Sequence, residues 1–203
     1  MHTVGMRELP KSRAARAAET QQHLVRVAQE LFAARGYGDV SLDDVLKGVQ
    51  LTKGALYHHF RDKKDLFRAV LVTVQTQVAA RARAAGDAAP DPFQGLKAVC
   101  QAFLHELRKP DVMRIVCRDA GAVLTWAECA EIDQQHMLAV MRDFIGAAQA
   151  SGALAALDQE ATTRVIAGAI YQTVEWASHD EAEDRMTQGE AVIMRLLDGI
   201  TGD

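Results

Sequence analysis

Cysteine, proline and aromatic residues are scarce in this chain, and each scarcity closes off a class of protein. Three cysteines occur among 203 residues, at Cys100, Cys117 and Cys129. An odd, widely spaced set offers no disulfide framework and fits a reducing compartment, where such residues serve as small buried apolar groups. Proline is confined to positions 10, 90, 92 and 110. Ala, Leu, Val, Arg and Glu dominate instead, which suits helices joined by short turns and leaves little for strands. Runs of about 18 or more uncharged apolar residues are missing, so no segment qualifies as a membrane span. The N-terminal stretch also lacks the apolar centre of a signal peptide, and a cytoplasmic protein with no membrane partner is expected. Catalytic signatures are missing too: there is no G-x-S-x-G, no Gly-rich phosphate loop and no H-E-x-x-H. Neither enzyme activity nor a cofactor is expected.

What is present is an uneven distribution of charge. The whole chain carries −4, but up to Arg68 there are 12 Lys and Arg against 8 Asp and Glu, and beyond it 11 against 19. A mildly basic head on an acidic body suits a protein of which one end meets a polyanion.

Periodicity divides the chain further. Residues 1–19 are polar and basic, with Arg7, Lys11, Arg13 and Arg16, and are expected to form a flexible basic arm. From Thr20 a helical stripe of Leu24, Ala28, Leu31 and Phe32 runs to Gly36, where a helix end wants a left-handed residue. Ser41 then caps a second helix, with Asp44 three residues on as in a capping box, and Leu42, Val45, Leu46 and Val49 as its buried face. Thr52 caps a short third helix to about Phe60, and Asp62 a long fourth that carries Leu66, Phe67, Val70 and Val74. Beyond a linker at 86–92, five helices are expected at about 93–108, 111–120, 126–150, 158–178 and 182–200. The fold class is therefore all-α, with a helix-turn-helix unit over 20–65 joined by a long helix to a helical domain over 66–203.

The second and third helices carry the functional signal. At about 100° per residue, Leu56 and Phe60 point inward together, while Gly54 and His58 face outward with Ala55 and Tyr57 beside them. Such a rod fits the major groove. On its outer side Lys53 reaches phosphates or guanine acceptors, Thr52 and Tyr57 offer hydroxyls, and His58 and His59 offer ring N–H groups. Gly54 and Ala55 let the backbone approach the bases. Ser41 at the start of the second helix and Lys63 at the start of the fourth complete the candidate DNA-binding set, Lys63 as part of a phosphate clamp. His58 and His59 do not make a metal site, since neighbours on a helix diverge by about 100°.

Thr52-Lys53-Gly54-Ala55-Leu56-Tyr57-His58-His59-Phe60, followed by Lys63 and Leu66-Phe67, resembles the recognition-helix signature of the TetR family of bacterial regulators. Thr20, Ala28, Leu31-Phe32 and Gly36-Tyr37 resemble that family's first helix, and Ser41-Leu42-Asp43-Asp44-Val45 its second. The resemblance implies a homodimer that binds a palindromic operator on double-stranded DNA and blocks transcription until a small-molecule effector enters the C-terminal domain. It also implies that Tyr57, His58 and Lys63 meet phosphates, with Thr52, Lys53, Gly54 and Ala55 nearest the bases. In one place the chain departs from the pattern: Gln50 stands where the family usually has Gly, so the turn before the recognition helix is expected to be slightly strained or shaped differently.

The C-terminal half is less explicit. Phe103, His105, Met113, Cys117, Trp126, His136, Met137 and Tyr171 are large, soft or amphipathic, as the walls of a ligand pocket are, and form the candidate ligand-binding set, with Leu124 and Met141 of the same kind. Cys129, Asp133 and His136 share a helical spacing that can bind a metal, but a partly buried polar patch is the preferred reading and no metal is expected. Ala161, Val165, Ala169 and Val174, with Val192, Leu196, Leu197 and Ile200, form apolar stripes on the last two helices, which in a monomer pack inward and of which the resemblance assigns the outer part to the dimer contact. The competing reading is a DNA-binding regulator whose C-terminal domain only dimerises or binds a protein partner, with no inducer.

Overall fold

A computed structural model describes residues 12–178 and 183–202; Arg7 and Lys11 of the expected arm lie outside the described residues. The described chain is a stack of helices: α1 Arg13–Arg35, α2 Leu42–Val49, α3 Lys53–His59, α4 Lys63–Asp87, α5 Pro92–Leu107, α6 Pro110–Met113, α7 Ala120–Val123, α8 Trp126–Gln135, α9 Met137–Ala150, α10 Gln159–Ala177 and α11 Glu183–Asp198. A π-helical turn, Arg114–Asp119, joins α6 to α7.

Local chemistry sets most of the N-terminal boundaries. The Ser41 hydroxyl accepts from the Asp44 backbone N–H while the Asp44 carboxylate accepts from the Ser41 N–H, the reciprocal capping box expected for α2. Thr52 and Asp62 cap α3 and α4 through the N–H groups of Ala55 and Asp65. Helix α1 closes at Gly36, whose φ of 83° suits a residue without a side chain. Helix α1 begins at Arg13 rather than Thr20, with Ser12 as its cap, so the described part of the basic stretch is helical.

Packing then orders these elements. Phe32, Tyr37 and Phe67 meet as an aromatic triad with ring centroids 5.2 to 5.7 Å apart, bolting the end of α1 to the start of α4. Leu56 and Phe60 are buried beside them, and truncating Leu56 to Ala would cost about 2–5 kcal/mol. At Gly48 a Cβ would fall 2.6 Å from Val27 Cγ1, so only glycine lets α2 lie this close to α1. Helix α4 continues through Gly86, expected as linker, and its far half packs along α5, which in turn packs on α9.

Two expected helices are interrupted. The segment foreseen as a plain helix over 111–120 contains the π turn, which inserts a residue into the ladder and re-aims the side chains around it. The helix foreseen over 126–150 breaks at His136, where φ −120° and ψ −86° divide α8 from α9. The His136 Nε2 is sealed from solvent there without a hydrogen-bond partner. The last helix is described from Glu183, its foreseen start at 182 lying outside the described residues. Among the described residues no helix is long and apolar enough to cross a membrane.

Candidate functional site

Helix α3 presents the alternation that its sequence dictates. Leu56 and Phe60 are buried; Thr52, Lys53, Gly54, Tyr57 and His58 are exposed, and Ala55 and His59 half-exposed. Around Gly54 a Cβ would meet nothing within 4 Å, so the backbone there is open to an incoming surface. Lys53 Nζ stands 3.8 Å from Asp43 Oδ1, with both side chains more than 60 % exposed, a loose pair that water screens and a phosphate can displace. Ser41 is exposed at the N-terminus of α2 with its hydroxyl engaged in the capping box.

The turn before α3 is where the departure from pattern shows. Gln50 has φ 55° and ψ 37° and is, among the described residues, the one non-glycine at positive φ. A side chain in that region is held at a cost of about 1–2 kcal/mol, so the turn carries the expected strain.

Lys63 is more occupied than its sequence position suggests. Its ammonium donates to the carbonyls of Tyr37 at 2.7 Å and Val40 at 2.8 Å, and lies 4.0 Å from the centre of the Tyr37 ring. Two of its three donors thus tie the α1–α2 loop to α4, leaving one for a phosphate. Lys64 points elsewhere: it pairs with Glu128 of α8 at 2.9 Å, and Arg68 with Glu131 at 3.0 Å.

A cleft of about 510 Å³ opens in the C-terminal half, between α4, the π turn, α8 and α10. Three of the candidate ligand residues line it: Cys117, Trp126 and Tyr171. The others do not. Phe103 and Met137 are fully packed core, as are Leu124 and Met141; His105 is exposed on α5, and Met113 and His136 are half-buried away from the cleft. Sequence reasoning missed Gln75 of α4 as a wall residue and treated Asp133 only as part of a polar patch. Asp133 Oδ1 accepts from Gln75 Nε2 at 2.8 Å and from the Tyr171 hydroxyl at 3.0 Å. Burial pushes the Asp133 carboxyl up, against those two hydrogen bonds. Burial together with the Asp133 charge pushes the Cys117 thiol up to about 12, so it stays protonated and inert. Among the described residues no group of three or more His, Cys, Asp or Glu side chains is placed to hold a metal.

The last two helices divide their apolar stripes. Val174 and Leu197 turn inward and are core, the inner part of the two stripes. Val165, Val192 and Leu196 are 70 %, 58 % and 56 % exposed, and Val165 and Leu196, with Ala161 and Ala169, line an apolar groove of about 410 Å³ on the α10–α11 face.

Comparison with known proteins agrees with this layout. Residues 24–70 match the family model described as "Bacterial regulatory proteins, tetR family", and residues 93–200 the one described as "Tetracyclin repressor-like, C-terminal domain". The HTH-type transcriptional regulator AcrR of Shigella flexneri is 47 % identical over 51 residues, a match that spans 25 % of this chain and 24 % of that one. The chain thus spans about a quarter of that relative. The HTH-type transcriptional repressor BepR of Brucella suis is 24 % identical across 92 % of this chain and 94 % of its own. A crystal structure of a TetR-family transcriptional regulator from Pectobacterium atrosepticum superposes with a TM-score of 0.80 at 34 % identity, covering 94 % of this chain and 98 % of that one.

Proposed function

This chain belongs to the TetR family of bacterial regulatory proteins, transcriptional regulators rather than enzymes, and from that premise we propose that it is a dimeric repressor released from a palindromic operator by a small molecule. The observation that carries the proposal is the outer face of α3, where Lys53, Gly54, Tyr57 and His58 stand clear of a core gripped by Leu56 and Phe60. Lys53 and Thr52 are assigned to base edges together with the low profile of Gly54 and Ala55; Tyr57, His58, His59, Ser41 and the remaining donor of Lys63 are assigned to the flanking phosphates. In this reading 20–65 is the DNA-reading unit and 66–203 the effector and dimer unit.

Dimerisation is supported by the apolar face of α10 and α11. Val165, Val192 and Leu196 leave apolar surface in water on that face, and a second copy of the same face would cover it. Two-fold symmetry has a use as well, since two recognition helices about 34 Å apart enter successive major grooves on one side of a duplex.

Ligand release is supported by what the cleft is built from. Helix α4 contributes Leu71 and Gln75 to the cleft wall, gives Lys63 to the DNA-reading unit and packs against that unit through the Phe67–Phe32 ring contact. A ligand that shifts or tilts α4 therefore acts on both ends at once, and with it on the spacing of the two recognition helices. The cleft exceeds the roughly 300 Å³ at which small-molecule sites begin, and so weighs against a domain that merely dimerises or binds a protein.

The test is selection of operator fragments from sheared genomic DNA by the purified protein, followed by gel shift with Lys53→Ala and Tyr57→Ala. Each variant should lose about tenfold or more in operator affinity while remaining dimeric. Unchanged binding in both ends the assignment of α3.

A further inference from the structure

The wall of the cleft has a charge that nothing answers. Asp133 forms no ion pair among the described residues; its donors, Gln75 and Tyr171, are both neutral and both sit on Oδ1. Oδ2 accepts no hydrogen bond there and is not sealed from solvent. Among the described residues no Lys, Arg or His lines the cleft, and the other titratable acid of its wall is Glu175. The thiol of Cys117, held protonated, adds no charge. A carboxylate drawn out of bulk water in this way costs free energy until a cation pairs with it.

The rest of the wall selects the body of the ligand. Leu71, Val116 and Ala120 supply apolar surface, and Trp126, 89 % exposed, supplies an aromatic ring of the type that attracts cations. An anion would meet the Asp133 carboxylate and, among the described lining residues, no basic group. A neutral molecule would leave Asp133 as it is.

We propose that the cleft takes an amphipathic organic cation, an aromatic or hydrocarbon body bearing a protonated amine that donates to Asp133 Oδ2. This rests on reading the cleft as the effector site. The ammonium lies between Asp133 and the Trp126 side of the opening, and the body covers the apolar wall formed by α4 and the π turn. Ligand selectivity is then set by charge first and by shape second.

The experiment uses the full chain and three matched probes followed by titration calorimetry: 2-(1-naphthyl)ethylamine, 2-(1-naphthyl)ethanol and 1-naphthylacetate. The amine should bind about tenfold or more tighter than the alcohol or the acid, and Asp133→Asn should bring it to the level of the alcohol. The ligand class is overturned if the alcohol or the acid equals the amine, if Asp133→Asn leaves the amine unchanged, or if none of the three binds. Gly168→Trp separates this from the cleft itself. Gly168 lines the cleft and a Cβ there meets nothing within 4 Å, so an indole can fill the space. If the probes bind alike and Gly168→Trp abolishes them all, only the ligand class fails. If Gly168→Trp leaves amine binding intact, the cleft is the wrong site.

Discussion

The backbone N–H of Tyr37 donates to the carboxylate of Asp119 over 2.8 Å, a bond that crosses 82 residues of chain. It joins the loop after α1 to the π turn of the C-terminal half. Arg114, at the other end of the same turn, reaches the Ala34 carbonyl at 3.4 Å, and between them Val116 and Cys117 line the cleft. One short segment therefore touches both the cleft and the loop that Lys63 holds, and would give the proposed ligand response a second route beside α4. π turns sit between two helical registers, so pressure on the cleft side has a geometry to move into.

Asp119→Ala should leave the Tyr37 N–H without its partner and cost about 1 kcal/mol, roughly 2–4 °C in melting temperature. It should also shrink the loss of operator affinity that ligand causes, measured by gel shift with and without the amine probe. A variant that melts and responds as the parent does would remove Asp119 from the coupling.

Lys63 and Lys53 should behave as different kinds of lysine. Lys63→Met strips a charged donor from two carbonyls and should cost about 1–3 kcal/mol in urea unfolding. Lys53→Met breaks only a loose exposed pair, so stability should move by less than about 0.5 kcal/mol while operator affinity falls.

Gln50→Gly should stabilise the protein by about 0.5–1 kcal/mol, because relief of the left-handed conformation exceeds the extra freedom glycine gains when unfolded. The urea midpoint should rise with an unchanged slope. A lower midpoint would mean that the Gln50 side chain holds the turn.

Val165→Asp combined with Leu196→Asp should yield a folded monomer by light scattering, since both positions are exposed in the single chain and would place charges in a dry interface only in a dimer. Operator affinity should fall with the dimer. A pair variant that remains dimeric would move the interface elsewhere.

Glu128 links α8 to α4, and its acid titration should be visible. The Thr125 backbone N–H, then the Lys64 ammonium and the Thr125 hydroxyl, hold its carboxyl at about 2 against an ordinary 4.5. Its contribution is thus present above pH 4.5 and is lost as the pH falls from 4.5 toward 2. Glu128→Gln should flatten that part of the melting temperature against pH curve by lowering the melting temperature above pH 4.5.

Much of the DNA-reading unit was legible in the chain because its rules are local. A capping box needs residues three apart, as Ser41 and Asp44 are, and the orientation of α3 needs only the spacing of Leu56 and Phe60. Both were read correctly for that reason. Lys63 was legible in position but not in use, because the carbonyls of Tyr37 and Val40 that occupy it lie 26 and 23 residues away.

The C-terminal half obeys the opposite logic. Asp133 meets Gln75 and Tyr171 across 58 and 38 residues, and no periodicity in one helix announces partners on two others. Val174 and Leu197 share the apolar stripes of Val165 and Leu196, yet packing of α10 on α11 turns the first pair inward and leaves the second in water. Sequence alone determined the starts of α2, α3 and α4, their caps at Ser41, Thr52 and Asp62, and the outward face of α3, since these follow from interactions within a turn or two. Only the tertiary structure decided which polar groups converge on the cleft, where the π turn and the break at His136 fall, and which apolar side chains remain for a partner, because those depend on how whole helices pack.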